Sequence, residues 1–132
     1  MKIEEQVLSI EQMKHLQELG VDTSDASMCW LDFEDNEPME VAVFVPQIML
    51  GYATCKIYPT YTIGDLIEKL PKCFYAEENP IEMYSINRNG AFVVNYFNIA
   101  ESFKKDDTIK NALYKLLCWV AENHKELLEV KK

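Results

Sequence analysis

The chain has 132 residues, 48% of them apolar and 27% charged, and a formal net charge of −9. Such a length suits one globular domain, residues 1–132, with a self-sufficient core, and the composition excludes a low-complexity or disordered chain. No apolar run approaches the roughly 18 residues of a membrane span. One arginine, Arg88, counts against binding nucleic acid through its phosphates, which needs clustered basic side chains.

The charge is unevenly placed. Residues 1–40 hold eleven acids and two lysines, whereas residues 41–132 hold eleven acids and eleven bases. The whole imbalance therefore lies in the first third. The opening Met1-Lys2-Ile3-Glu4-Glu5-Gln6 is acidic and has no apolar core segment, which argues against a signal peptide. Cys29, Cys55, Cys73 and Cys118 form no Cys-x-x-Cys pair. They read as separate, mostly buried thiols of a reducing compartment, and the expected location is the cytoplasm.

The first helix is punctuated at both ends. Ser9 to Gln12 has the form of a capping box, with Leu8 and Met13 at the staple positions. Gly20 stands at the helix stop, where Val21 can fold back on Leu16. Its apolar stripe, Met13, Leu16 and Leu19, is thin and predicts a surface helix. Met28 to Phe33 and Met39 to Val45 then alternate around Glu34 to Pro38, the pattern of a β-hairpin with an acidic loop. Cys55 to Tyr58 predicts a short strand, and Tyr58 to Tyr61 is extended because Pro59 keeps its predecessor out of the helical region.

Thr62 predicts a second N-cap, with Asp65 three residues on, Tyr61 and Leu66 as a staple pair, and Pro71 as the stop. After a loop containing Asn79-Pro80, Ile81 to Asn87 and Ala91 to Phe97 read as strands joined across Asn89-Gly90, a strong hairpin signal. The last helix, Thr108 to Asn123, carries Ile109, Ala112, Leu113, Leu116, Leu117 and Val120 at helical spacing. Asp106 and Asp107 are the expected cap and first-turn anions, and Asn123 the expected stop. The fold class is α+β: an antiparallel sheet of four or five strands from two hairpins, packed against a long C-terminal helix with two shorter helices.

Catalytic signatures are missing. His15 and His124 have no carboxylate or cysteine pattern that points to a metal or an activated nucleophile, and the four glycines form no phosphate loop. No catalytic, cofactor-binding or metal-binding residue is therefore assigned. Glu77-Glu78 and Asp106-Asp107 read as solvation and capping, and the aromatic series Tyr52, Tyr58, Tyr61, Phe74 and Tyr75 as core more than groove. What remains is an acidic cluster at the tip of the first hairpin: Asp32, Glu34, Asp35, Glu37 and Glu40. It serves either to keep an edge soluble or to dock a basic protein partner.

The stretches Tyr58-Pro59-Thr60-Tyr61-Thr62-Ile63-Gly64-Asp65-Leu66-Ile67-Glu68-Lys69-Leu70-Pro71 and Ala112-Leu113-Tyr114-Lys115-Leu116-Leu117-Cys118-Trp119 resemble those of uncharacterised small proteins carried by prophages and mobile elements of gut Bacteroides-type bacteria. The resemblance spans most of the chain, rests on a capped short helix and a core helix, and implies a context without implying a site.

These features lead to an expected role as a non-enzymatic accessory protein acting through protein–protein contacts of its acidic N-terminal third. The alternatives are a DNA mimic that inhibits a nucleic-acid-binding host protein and a small enzyme with a cryptic pocket. Strands and last helix are apolar on more than one side, so a two-fold homodimer would bury the surplus. Its candidate patches are Tyr114, Cys118 and Ala121, or Trp30 with Phe44. The competing expectation is that residues 47–54 and 127–130 fold over these surfaces.

Overall fold

The structure is a computed structural model that describes residues 3–33, 39–44, 55–74, 79–86, 91–96 and 99–129. Contacts along the chain group into two compact units, Met1–Asp65 and Leu66–Lys132.

In the first unit a 3-10 turn, Ile3–Glu5, precedes helix α1, Ile10–Glu18. Ser9 and Gln12 form the expected capping box: Ser9 Oγ accepts from the Gln12 N–H at 3.1 Å, and Gln12 Oε1 accepts from the Ser9 N–H at 2.9 Å. The helix ends in a Schellman motif. Val21 N–H donates to Leu16 O and Gly20 N–H to Gln17 O, each at 3.0 Å, with Gly20 at φ 93° in the left-handed region where a Cβ would be strained.

Three strands follow: β1, Met28–Asp32; β2, Glu40–Val43; and β3, Lys56–Thr60. They form an antiparallel sheet in the order β2-β1-β3. The expected first hairpin is present as the β1–β2 pair, Met28 facing Val43 and Leu31 facing Glu40. Its connecting residues, 34–38, lie outside the described residues. Pro59 sits within β3, which is an edge strand and can spare one ladder donor. Cys29 and Leu31 form a small core on one face, with Phe33, Ala42, Phe44, Cys55 and Ile57 packed around them.

Helix α2, Ile63–Lys69, begins in the first unit and ends in the second. Its expected cap is made reciprocally. Thr62 Oγ1 accepts from the Asp65 N–H and Asp65 Oδ2 accepts from the Thr62 N–H, both at 3.0 Å.

The second unit holds four antiparallel strands in sequential order: β4, Cys73–Phe74; β5, Asn79–Ile86; β6, Ala91–Tyr96; and β7, Ile99–Asp106. Helix α3, Ile109–Asn123, packs on β6 and β7 and is followed by a 3-10 turn, Lys125–Glu129. Ala112, Leu113, Leu116, Leu117, Val120 and Ala121 of α3 are buried, so the helical stripe is the core of this unit. Val93 and Val94 are consecutive, point to opposite faces of β6 and are both fully buried. The apolar character of that strand on both sides is thus absorbed by the chain itself.

The α+β class, antiparallel pairing and long C-terminal helix agree with expectation. Several details do not. The described strands form two sheets, one of three strands and one of four, where a single sheet of four or five was expected. Asn79-Pro80 is the start of β5, not a loop: Pro80 pairs with Cys73, and Ile81 N–H donates to Lys72 O at 3.1 Å. The N-cap of α3 is Thr108, whose Oγ1 accepts from the Asn111 N–H at 3.1 Å, while Asp106 closes β7. Asn123 is the last helical residue, not the stop, and His124 is the C-cap. Strand β7 was unexpected. Residues 87–90, with Asn89-Gly90, and 45–54 lie outside the described residues.

Candidate functional site

Register places the side chains of the first sheet. Residues directly opposite in an antiparallel pair share a face. Trp30 stands opposite Val41 on one side and Tyr58 on the other, so these share a face with Met28 and Asp32. Leu31 stands opposite Glu40 and Ile57, on the reverse face with Cys29. The buried positions of β1 are Cys29 and Leu31; Met28, Trp30 and Asp32 are only half-buried.

Helix α1 packs against β3 on the Trp30 side, and one backbone carbonyl organises the junction. Leu8 O accepts from Trp30 Nε1–H at 2.9 Å and from the Thr60 hydroxyl at 2.6 Å, and Leu8 N–H donates to Tyr61 O at 3.0 Å. Both lone pairs of that carbonyl are used by side chains from two neighbouring strands. The Tyr61 hydroxyl donates towards Asp22 O at 2.9 Å and Asp25 Oδ1 at 2.7 Å, which ties in the segment after α1. Burial, then the Asp25 hydrogen bond and nearby carboxylates, push the Tyr61 phenol far above its ordinary range. Asp65 Oδ2 accepts from the Ser27 hydroxyl at 2.6 Å and the Ser27 N–H at 3.1 Å, joining the α2 cap to the start of β1.

Between α1 and this face lies an open groove of about 350 Å³. It is lined by Ser9, Ile10, Glu11 and Lys14 from the helix, Trp30, Asp32 and Tyr58 from the strands, and Met39 ahead of β2. Met39 is 41% exposed, which is uncommon for so large an apolar side chain. Lys14 Nζ lies 6.0 Å from the Tyr58 ring centroid, at the outer limit of a cation–π contact. The lining pairs two aromatic rings and a thioether with two carboxylates and one ammonium. That mixture can hold an apolar group beside a charged one.

Of the five acids singled out in the sequence, Asp32 lines this groove and Glu40 is exposed on the reverse face. The two are separated by the pleat, because Glu40 is in register with Leu31 and not with Asp32. Glu34, Asp35 and Glu37 lie outside the described residues. Tyr58 belongs to the groove and Tyr61 to the core; Tyr52 and Tyr75 lie outside the described residues. Trp30 was singled out only as part of a candidate dimer patch, and Met39, Ile10, Glu11 and Lys14 were not singled out as site residues. The available signal was that β1 carries large apolar side chains, Met28 and Trp30, on the face opposite Cys29 and Leu31 as well.

Elsewhere, among the described residues, several charged groups pair locally. Lys115 Nζ meets Asp106 Oδ2 at 2.8 Å and donates to Lys105 O at 3.0 Å; this lysine and the backbone N–H groups of Asp107 and Thr108 hold the Asp106 carboxyl below its ordinary value. His15 Nδ1 lies 3.8 Å from Glu18, and His124 Nδ1 lies 3.9 Å from Glu126 with its ring 5.0 Å from that of Trp119. Cys29 is buried and Cys55 and Cys118 half-buried, all three as free thiols. Burial raises the Cys29 and Cys118 thiols, which keeps them protonated and unreactive at neutral pH. Of the helix patch considered for a dimer, Ala121 is buried and Tyr114 and Cys118 half-buried; Trp30 and Phe44 are half-buried too. Among the described residues no His, Cys, Asp and Glu side chains group to hold a metal ion, and no helix is long and apolar enough to cross a membrane.

No family model, curated protein or solved structure matches this chain.

Proposed function

We propose that this chain is a non-enzymatic binding protein that docks a basic protein through its acidic first unit, working in the cytoplasm as an accessory of a mobile element. One observation carries the reading. Residues 1–65 hold twelve acids against three lysines, and residues 66–132 hold ten of each sign. A field of one sign confined to one half of a small protein steers and selects an oppositely charged partner. The mobile-element context rests on the resemblance of residues 58–71 and 112–119 alone. The free thiols fit a reducing compartment.

The DNA-mimic alternative needs carboxylates arrayed over one surface at phosphate-like spacing. Asp32 and Glu40 on opposite sheet faces weigh against that arrangement. Capture from host lysate at low and moderate salt tests the reading. A basic partner released as salt rises supports it, because exposed charges are screened over about 8 Å at physiological ionic strength. A partner indifferent to salt, or a metabolite carried by the purified protein, overturns it in favour of apolar docking or an enzyme.

A further inference from the structure

We infer that strand β7 is a self-association edge, on which a second copy of this chain adds its own β7, antiparallel, across a two-fold axis at Phe103. This goes beyond the docking reading above and does not depend on it. Strand β7, Ile99–Asp106, ends the order β4-β5-β6-β7, so among the described residues no strand lies on its outer side. Peptide groups along an antiparallel strand alternate in direction. Tyr96 N–H points to β7, where Ser102 Oγ receives it at 2.8 Å, so Ser102 stays beside Tyr96 although the register shifts between Val94 and Tyr96. Val94 and Phe92 therefore also turn their groups to β7, and their partners Lys104 and Asp106 turn theirs to β6. Phe103 and Lys105 are left with N–H and C=O directed outwards. Lys105 O meets Lys115 Nζ there at 3.0 Å, and a carbonyl can accept a second bond.

The side chains select the occupant. Glu101, Phe103 and Lys105 are exposed, Phe103 at 49%, while Ser102 is buried and Lys104 and Asp106 are half-buried. Lys104 Nζ lies 6.0 Å from the Trp119 ring centroid, so the exposed set lies on the face away from α3. Opposite residues of an antiparallel pair share a face, so the axis passes through a residue and not between two. Through Phe103 it sets that ring against its own copy and Glu101 against Lys105 on either side. Aromatic pairs and opposite charges are favourable cross-strand neighbours. An axis through Glu101, Lys104 or Lys105 would bring like charges face to face, and one through Ser102 would set Lys105 against Ile99. The pattern is complementary to its own reverse in one register. Lysines often guard a sheet edge against pairing, but here Lys104 lies by α3 and Lys105 meets an acid of the second copy. Residues 66–132 hold ten charges of each sign, so two copies of this unit approach without net repulsion.

Sedimentation equilibrium of the whole chain from about 1 μM to about 1 mM reads the association. The expected result is a reversible dimer, weakened about tenfold by Glu101→Lys, by Lys105→Glu and by Phe103→Lys. All three positions are exposed, so these substitutions leave the core alone, and circular dichroism checks that each variant folds. Recovery is the sharper arm. Glu101→Lys combined with Lys105→Glu exchanges the two signs and should restore the dimer of the unaltered chain. The two single charge variants, each weak alone, should pair with one another when mixed, since one then presents two lysines to two glutamates. A chain that stays monomeric at about 1 mM would overturn the inference. So would a dimer indifferent to all three substitutions, which would move the association to another surface. Weakening without recovery, in the double variant or in the mixture, would overturn the two-fold register at Phe103 and the inference with it.

Discussion

The two units of this chain hold together by different means. Residues 66–132 rely on a long helix whose apolar stripe is buried on β6 and β7, with no net charge to oppose compaction. Residues 1–65 have shorter elements and a net charge of −9, and they are laced by side-chain hydrogen bonds: Ser9 with Gln12, Gln17 with Thr23, Tyr61 with Asp22 and Asp25, Asp65 with Ser27 and Thr62, and Trp30 and Thr60 with Leu8 O. Apolar burial is non-directional and tolerates repacking. Buried hydrogen bonds are directional and fix geometry. In the half that carries the groove, the buried bond of this kind is the one from the Thr60 hydroxyl to Leu8 O; the second unit has its own at Ser102.

The comparison can be broken by removing the main support of each half. Leu116→Ala in α3 is expected to cost about 2–5 kcal/mol by opening a cavity under the helix, measured by denaturant unfolding. A loss below that would mean that α3 is not the core of its unit. Tyr61→Phe removes one buried hydroxyl and its hydrogen bonds to acceptors on two exposed aspartates, and is expected to cost about 1 kcal/mol. The phenol also gives a pH signature. Its folded pKa is raised above the ordinary 10.0, so its stabilisation is complete below that value and falls away as pH rises past it. Alkaline destabilisation should therefore be smaller in Tyr61→Phe.

Thr62→Ala is expected to cost about 1 kcal/mol through loss of the α2 cap, and Thr62→Ser should restore most of it. The smallest effect is reserved for the surface pair. Lys115→Ala is expected to cost about 0.5 kcal/mol, since both partners remain partly exposed. Asp106 titrates below the ordinary 3.8, so the pair's contribution is present above that pH and is lost as pH falls beneath it. Acid unfolding curves of wild type and Lys115→Ala should converge at low pH. Divergence there would remove the pairing from the account.

What could be seen in the sequence was local. Ser9 and Thr62 announce their helices because a cap needs one side chain and a partner three residues on. The α3 stripe is visible because six apolar residues share a face. Strand β7 was hidden: Glu101, Lys104 and Lys105 break its alternation, and its inward residue, Ser102, is polar. That burial is made possible by hydrogen bonds, with Ser102 Oγ accepting from Tyr96 N–H at 2.8 Å and donating to Ile99 O at 2.6 Å. Asp106 resembled a cap because Lys115, nine residues away, gives no local cue that it pairs with a strand terminus. Division into two sheets depends on long-range register, which alternation does not encode. The groove was invisible for a related reason. It requires α1 to meet Trp30 and Tyr58, and what brings them together is a main-chain oxygen.

That oxygen has a consequence for how the molecule could be altered. The Leu8 carbonyl is supplied by the peptide backbone whatever residue occupies position 8, so no substitution there deletes the acceptor. The vulnerability is displaced to Trp30 and Thr60, the two donors that converge on it. Positions 30 and 60 are 30 residues apart in the chain, yet each leaves the other's acceptor half-satisfied when it loses its own proton. They therefore form a single engineering unit. The groove can be re-lined at Met39 or Glu11 one residue at a time, whereas its hinge can be redesigned only by changing both donors together.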